Sequence, residues 1–436
     1  MYIQRKNRRR GRHNIGNFAA VIAVIGLCGS ILQGCDRQKT IAYFNGLEEA
    51  YADAAETEPE EVIDTAEIET EYIAENNDTE STEESDTSLK EQPYTGPKVS
   101  MIMVGDILLH TPVAESGVQE NGSYNFDALF YNVKDEISEA DLAIVNQEVI
   151  IGGEQLGISG YPCFNAPYEL GDALAEAGFD VVLHATNHAL DQGKKGITNC
   201  LSFWKKNHPD MAVLGINESR NAQDDIFVYE QEGIRIAILN YTYGTNGVAM
   251  PSDMPYAVNL LEEDKVASDI EKAKEQADFI VVCPHWGTEY QLTPSSEQEH
   301  WADFFLENGV DLVIGTHPHV IEPVEWVGDD CLVYYSLGNF VNWTSSSGEG
   351  IANRMVGGMA EITVGMDDSG KAFIVDYDVE PLVCHLTEGT NGVTVYRLSD
   401  YTEELASENA IIVQDAAFSL EYCKNLCEEV WGEIRE

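Results

Sequence analysis

The sequence predicts an α/β fold of layered type, and three observations carry that prediction. From Gly96 onward, short apolar strands alternate with segments of helical spacing. Polar clusters recur just past the carboxyl ends of those strands, where open α/β sheets place their crevice. The folded body of roughly 340 residues shows no internal repeat, which fits one elaborated sandwich rather than an array.

The chain opens on Arg5, Lys6, Arg8, Arg9, Arg10 and Arg12, followed by an uncharged apolar span from about Ile15 to Gly34. This is the pattern of an export signal. The span closes on Leu32-Gln33-Gly34-Cys35, which resembles a bacterial lipobox, so residues 1–35 are expected to end in a lipid anchor on Cys35. The span is also long enough to cross a bilayer, and an uncleaved signal anchor is the alternative. Either places the body outside the bacterial cell membrane and anchored to it. Residues 36–97, rich in Glu, Asp, Thr and Ser, cannot bury enough apolar surface to offset the entropy of ordering and read as a disordered acidic linker.

The strands and helices of the body, residues 98–390, follow in turn. VSMIMVGDILLH is a strand running into Gly105-Asp106, and DLAIVNQEVII a second carrying Asn146 and Glu148 near its end. PYELGDALAEAG has helical spacing with Gly178 as stop signal, and FDVVLHATNHALDQG is a strand, a polar loop and the start of a helix through Trp204. IRIAILNYTYG is a strand, LLEEDKVASDIEKAKEQA a helix, DFIVVCPHWGTEY a strand ending in His285, and SEQEHWADFFLENG a helix. DLVIGTHPHV then ends an apolar run in two histidines separated by Pro318. Beyond Val320 the pattern suggests antiparallel strands with short turns. Residues 391–436 are expected to form a helical extension, helical in spacing from Leu398 to about Trp431.

The formal net charge of −51 excludes nucleic acid as a partner, and an anionic substrate would need local positive charge. Bound divalent cations supply it. Seven cysteines beyond the lipobox, Cys163, Cys200, Cys283, Cys331, Cys384, Cys423 and Cys427, are scattered and odd in number, so no disulfide framework is readable.

Taken by strand end, the candidate ligands are Asp106 and His110, Asn146 and Glu148, Asn187 and His188, His285, then His317 and His319. Carboxylate, amide and imidazole donors without thiolates suit Mn, Zn or Fe and argue against a structural zinc site. A set this rich can hold a metal pair, which activates a water and clamps the oxygens of a phosphoryl group. Each residue also has a structural use: Asp106 as a turn cap, Asn187 and His188 as helix caps, His285 as a core histidine. Glu289, just past His285, orients it or touches substrate. His184, His208, His300 and His385 read as structural.

The blocks G-D-x-x-x-H, N-x-E, T-N-H-A-L-D-x-G, H-W-G-x-E-Y, G-T-H-P-H-V and Y-S-L-G-N-F-V run in that order from about Val99 to Asn342. Together they resemble the CapA family of poly-γ-glutamate capsule synthesis proteins, related to calcineurin-like metallophosphoesterases. The resemblance implies a four-layer α/β/β/α metallophosphoesterase-like sandwich with its site at the strand ends. It also implies that Asp106 serves a first metal, Glu148 bridges, and Asn187, His285 and His317 serve the second, with His319 returning to the first. His188 would protonate the leaving oxygen and, with Asp106, count as catalytic; Asn146, Glu289 and Asn339 would lie near substrate. The wider superfamily has D-x-H where this chain has its histidine at His110, and G-D-x-x-D where it has Asn146 and Glu148; Gln147 and Thr186 also depart from the CapA pattern.

The expectation is a membrane-tethered extracytoplasmic protein of capsule or cell-envelope polymer biosynthesis with a dinuclear metal hydrolase site. Its partners would be membrane capsule synthase subunits and an anionic polymer or phosphoester substrate. The alternative is a non-catalytic polymer-binding or export subunit of such a synthase.

Overall fold

A computed structural model describes residues 94–387 and 392–432. The export signal, the lipidation candidate Cys35 and nearly all of the acidic linker lie outside the described residues.

Fourteen strands among the described residues form two sheets. The first begins with β1 (Lys98–Ile107), β2 (Leu142–Asn146), β3 (Val181–Leu183) and β4 (Ala212–Leu214), which pair in parallel in that order. The second holds β5 (Phe227–Gln231), β6 (Ile234–Thr242), β7 (Phe279–His285), β8 (Leu312–Ile314), β9 (Val324–Val327) and β10 (Cys331–Tyr334), in the order β5-β6-β7-β8-β10-β9. The chain then returns to the first sheet. There β11 (Asn339–Val341) pairs parallel with β1, and β12 (Val356–Met366), β13 (Ala372–Thr387) and β14 (Gly392–Arg397) extend it antiparallel from β1.

Alternation along each strand decides the layering, because successive side chains point to opposite faces. Met101, Met103, Ile144 and Val181 of the first sheet meet Ile236, Ile238, Val281 and Leu312 of the second in one buried core. Ile102, Val104, Ala143 and Val182 point the other way, onto α1 (Tyr168–Ala177), α2 (Gly193–Asn207) and the carboxyl-terminal segments. Ala237, Leu239 and Val282 point onto α3 (Glu263–Gln276) and α4 (Ser296–Glu307) through Val266, Ile270, Trp301 and Phe305. The result is the four-layer α/β/β/α sandwich.

Local signals set the helix ends. Gly178, at φ 105°, closes α1, and Ser295 with Gln298 forms a reciprocal capping box that starts α4.

Two differences from the sequence expectation have simple causes. Residues 392–397 are strand β14, not helix: Gly-Val-Thr-Val-Tyr-Arg alternates and pairs with the long β13, so helix begins only after Arg397. The segments beyond Val320 are only partly antiparallel, because β10 inserts between β8 and β9 and runs parallel to β8. The seven described cysteines are free; Cys163 is exposed and the other six are buried.

Candidate metal centre

The parallel strands of both sheets end at one edge, and the polar clusters gather there. Asp106 lies where the pairing register of β1 slips. Asn146 ends β2, His285 ends β7, and Glu148, Asn187, His188, His317 and His319 occupy the loops just beyond β2, β3 and β8. Two glycines permit the close approach. A Cβ on Gly105 would meet the Gly338 carbonyl at 2.0 Å, and one on Gly315 would meet the Tyr335 carbonyl at 2.1 Å. Gly-Asp and Gly-Thr-His-Pro-His are thus places where one strand end passes directly over another.

Three groups of side chains present ligand atoms within 4.8 Å of one another: Asp106, Glu148 and His319; Glu148, His285 and His317; and Glu289, His317 and His319. Glu148 belongs to the first two. It is wholly buried, and neither of its carboxylate oxygens has a hydrogen-bond partner. Its Oε1 lies 3.7 Å from His319 Nε2, 3.8 Å from His285 Nε2 and 4.0 Å from His188 Nε2. His317 Nδ1 is also buried without a partner. A buried carboxylate facing only imidazoles is costly unless a cation or a proton compensates it.

The electrostatics show that compensation under strain. Burial first, then the neighbouring Asp106, Glu289 and Asp191, raise the Glu148 carboxyl well above its usual range, against the lowering effect of His319. Burial opposes charge on His319, yet the Glu148 carboxylate and the bond to Asp106 lift it to about 10. Burial and neighbouring imidazoles hold His285 and His317 well below the usual value, so both are neutral donors. Buried, unpartnered oxygen and nitrogen donors without thiolates fit a hard or borderline divalent cation.

Asp106, His285, His319 and His188 are held from behind. Asp106 Oδ1 accepts from Asn146 Nδ2 at 2.7 Å, and Asp106 Oδ2 accepts from the His317 amide at 3.2 Å. His285 Nδ1 lies 3.0 Å from Thr316 Oγ1, while its Nε2 faces Asn187 Oδ1 at 3.1 Å. His319 Nδ1 lies 3.1 Å from Asn339 Oδ1 and 3.2 Å from Asp106 Oδ2. His188 Nδ1 donates to Asp191 Oδ2 at 2.7 Å, which leaves Nε2 toward Glu148 and Asn246.

The backbone is strained around the same point. The non-glycine residues with positive φ are Glu232, in the β5–β6 turn, and four others: Asn246, Tyr290, His317 and His319. Asn246 faces His188, the Tyr290 amide donates to the Pro318 carbonyl at 2.7 Å, and the two histidines are ligand candidates. Such conformations cost about 1–3 kcal/mol each and cluster where function fixes them.

The structure therefore brings together Asp106, Glu148, Asn187, His188, His285, His317 and His319, with Glu289 exposed at the rim. His110 joins none of the three ligand groups. Its ring packs edge-on against Phe164, which also packs on His188, and burial first, then the charges of His319, His188 and Arg354, lower it to about 3, so it stands beside the centre. Asn146 and Asn339 are buried beside the centre, Asn146 donating to Asp106 and Asn339 facing His319. Asp191 reads in the sequence as a first-turn acid of the helix after His188, and the structure makes it the partner of His188 instead. Thr316, Tyr243 and Arg354 carry no signal of their own. Tyr243 packs on His317 with ring centres 4.6 Å apart, and Arg354 lies 3.5 Å over the Tyr290 ring.

Comparison with known proteins supplies the family. The chain is 31% identical over 259 residues to a capsule biosynthesis protein CapA of Bacillus anthracis, covering 57% of this chain and 61% of that protein. It is 30% identical over 261 residues to the PGA biosynthesis protein CapA of Bacillus subtilis, covering 58% and 67%. Among solved structures, an NAD nucleotidase of Haemophilus influenzae aligns at 12% identity and TM-score 0.41, covering 66% of this chain and 58% of that one. A 5'-nucleotidase precursor from Thermus thermophilus aligns at 14% and TM-score 0.38, covering 66% and 54%. The family described as bacterial capsule synthesis protein PGA_cap matches residues 100–344, a span that contains every candidate ligand, and the chain belongs to that family.

Proposed function

We propose that this chain is a membrane-tethered, extracytoplasmic family member with a dinuclear metal hydrolase centre, acting on a phosphoester or a related acyl or amide bond in capsule or cell-envelope polymer metabolism. One observation carries the reading: Glu148, buried and without hydrogen-bond partners, is common to two ligand triads. Asp106, Glu148 and His319 would hold one cation; Glu148, His285 and His317, with Asn187 beside them, would hold the other. A Mn, Zn or Fe pair supplies Lewis acidity and a water activated at neutral pH.

The chain's own residues do the rest. Asn146 and the His317 amide fix the Asp106 carboxylate, and Thr316 and Asn339 fix two imidazole rings. His188 is the general acid: with Nδ1 bound to Asp191, it carries its transferable proton on Nε2, on the side of Glu148, and gives it to the leaving oxygen. The basic and apolar pattern of residues 1–35 supports the tether, with the acidic linker as spacer to membrane synthase subunits. An anionic polymer or phosphoester is the substrate class, its charge met by the cations.

Elemental analysis of the purified full chain should find close to two divalent ions per molecule. It should hydrolyse 4-nitrophenyl phosphate, with His188→Ala losing about 100-fold or more in kcat. Absence of stoichiometric metal, or full activity in the variant, refutes the reading. The absence of His110 from the ligand groups favours a second reading, a non-catalytic synthase subunit. Restored capsule in a deletion strain carrying the chain with His317→Ala and His319→Ala would select it.

A further inference from the structure

Arg354 stands at the rim of the centre without an acid to pair with. The chain has 76 acidic and 25 basic side chains, and its other arginines and lysines are commonly matched, as in Arg235 with Asp278 and Arg397 with Asp400. Among the described residues, no ion pair or hydrogen bond holds the Arg354 guanidinium. Its recorded contact is the face of Tyr290 at 3.5 Å, and its Nε is buried with no partner. A ring covers only the face of a guanidinium and leaves the in-plane N–H groups for an acceptor, which an oxyanion matches in pairs.

The position is built rather than incidental. The Arg354 carbonyl accepts from Asn339 Nδ2 at 3.0 Å, and the same amide group receives His319 Nδ1. Tyr290, at φ 67°, donates its amide to the Pro318 carbonyl. Both halves of the Arg354–Tyr290 stack are thus tied to the segment His317-Pro318-His319, which fixes the guanidinium relative to the ligand histidines. Its charge reaches His110 and Tyr290. Glu289 is the nearby acid, but it makes no ion pair with Arg354 and groups with His317 and His319 instead.

We propose that Arg354, braced on Tyr290, binds an anionic group of the substrate, a carboxylate or phosphate lying off the reacting bond, and so selects oxyanion-bearing substrates. This rests on the reading that the metal centre is where substrate binds. In a strongly acidic chain such a substrate is otherwise repelled, and one fixed cation beside the site offsets that locally.

The test is calorimetric titration of the manganese-loaded full chain with benzoate and with benzene-1,3-dicarboxylate. The wild type should bind the dicarboxylate about tenfold more tightly than benzoate, as one added bidentate pair implies. Arg354→Gln should abolish the preference, and Arg354→Lys, charged but without the planar fork, should keep part of it. Equal ratios in wild type and Arg354→Gln overturn the proposal, as does a fall in melting temperature in both variants with the preference intact. Hydrolysis of 4-nitrophenyl phosphate, measured in parallel, separates the two readings. A preference lost in Arg354→Gln without hydrolysis in the wild type keeps the anion site and removes the hydrolase. Hydrolysis with an unchanged preference does the reverse.

Discussion

Replacing Glu148 by Gln should make the metal-free protein more stable and the metal-loaded protein less stable. The reversal follows from the position of the carboxylate: 0% exposed, both oxygens unpartnered, imidazoles on three sides. Burying such an ion costs several kcal/mol, only partly returned by the charge it induces on His319. Gln keeps the shape and removes the charge, so the metal-free variant should gain about 1–3 kcal/mol. Metal reverses the balance. An ion at 100 times its dissociation constant stabilises by about 2.7 kcal/mol, so two ions contribute roughly 5 kcal/mol, and the variant loses most of this because both triads contain residue 148. Calorimetric melting with and without manganese, together with metal counting, measures both limbs. A metal-free variant less stable than the wild type, with the same rise on adding manganese, would refute the argument and make Glu148 a structural acid. Asp106→Asn is the poorer probe, since Asp106 also accepts from Asn146 and from the His317 amide.

Two further outcomes test the frame around the centre. Asp191→Ala removes the acceptor that fixes His188 Nδ1 and that also receives the Phe164 amide; kcat on 4-nitrophenyl phosphate should fall about tenfold or more with metal content unchanged, and an unaltered kcat would sink the role given to Asp191. Glu322 is buried, with one oxygen accepting from Gln298 and the other unpartnered, and burial raises its carboxyl from 4.5 to about 8 against the lowering effect of that hydrogen bond. Below pH 4.5 the folded and unfolded chains both hold the proton; between 4.5 and 8 only the folded chain does, so stability falls as pH rises through that window and levels off above it. At about 1.4 kcal/mol per pH unit the loss is roughly 4–5 kcal/mol, and Glu322→Gln should remove it, melting closer to the wild type at pH 5 and well above it at pH 8.5. Parallel melting curves for the two proteins across that range would count against it.

The ligand clusters were legible because the physics that places them is local. An apolar run that stops at a polar residue marks a strand end, and parallel strands feeding one edge bring their ends together whatever the loops do. This is why Asp106, Glu148, Asn187, His285, His317 and His319 were found in chain order and meet in space. His110, as far beyond β1 as His317 is beyond β8, follows the same pattern, but its ring turns onto Phe164 and joins none of the ligand groups. β14 went unread because an isolated alternation such as Gly-Val-Thr-Val-Tyr-Arg becomes a strand only when a partner as long as β13 lies beside it.

The remaining site residues depend on distant pairing. Asn339 reaches His319 because β11 crosses from the second sheet to lie parallel with β1, setting Asp106 opposite Asn339. Arg354 comes from a short turn between β11 and β12, with no periodicity to announce it. The positive-φ backbone at His317 and His319, on either side of Pro318, is not announced by the sequence either, since histidine, though enriched at positive φ, is far more often found elsewhere. Strand ends therefore announce which donors are available. The tertiary contacts behind them, Asn339, Thr316, Asp191 and the Arg354–Tyr290 stack, decide which donors are aimed and what charge a substrate can bring to them.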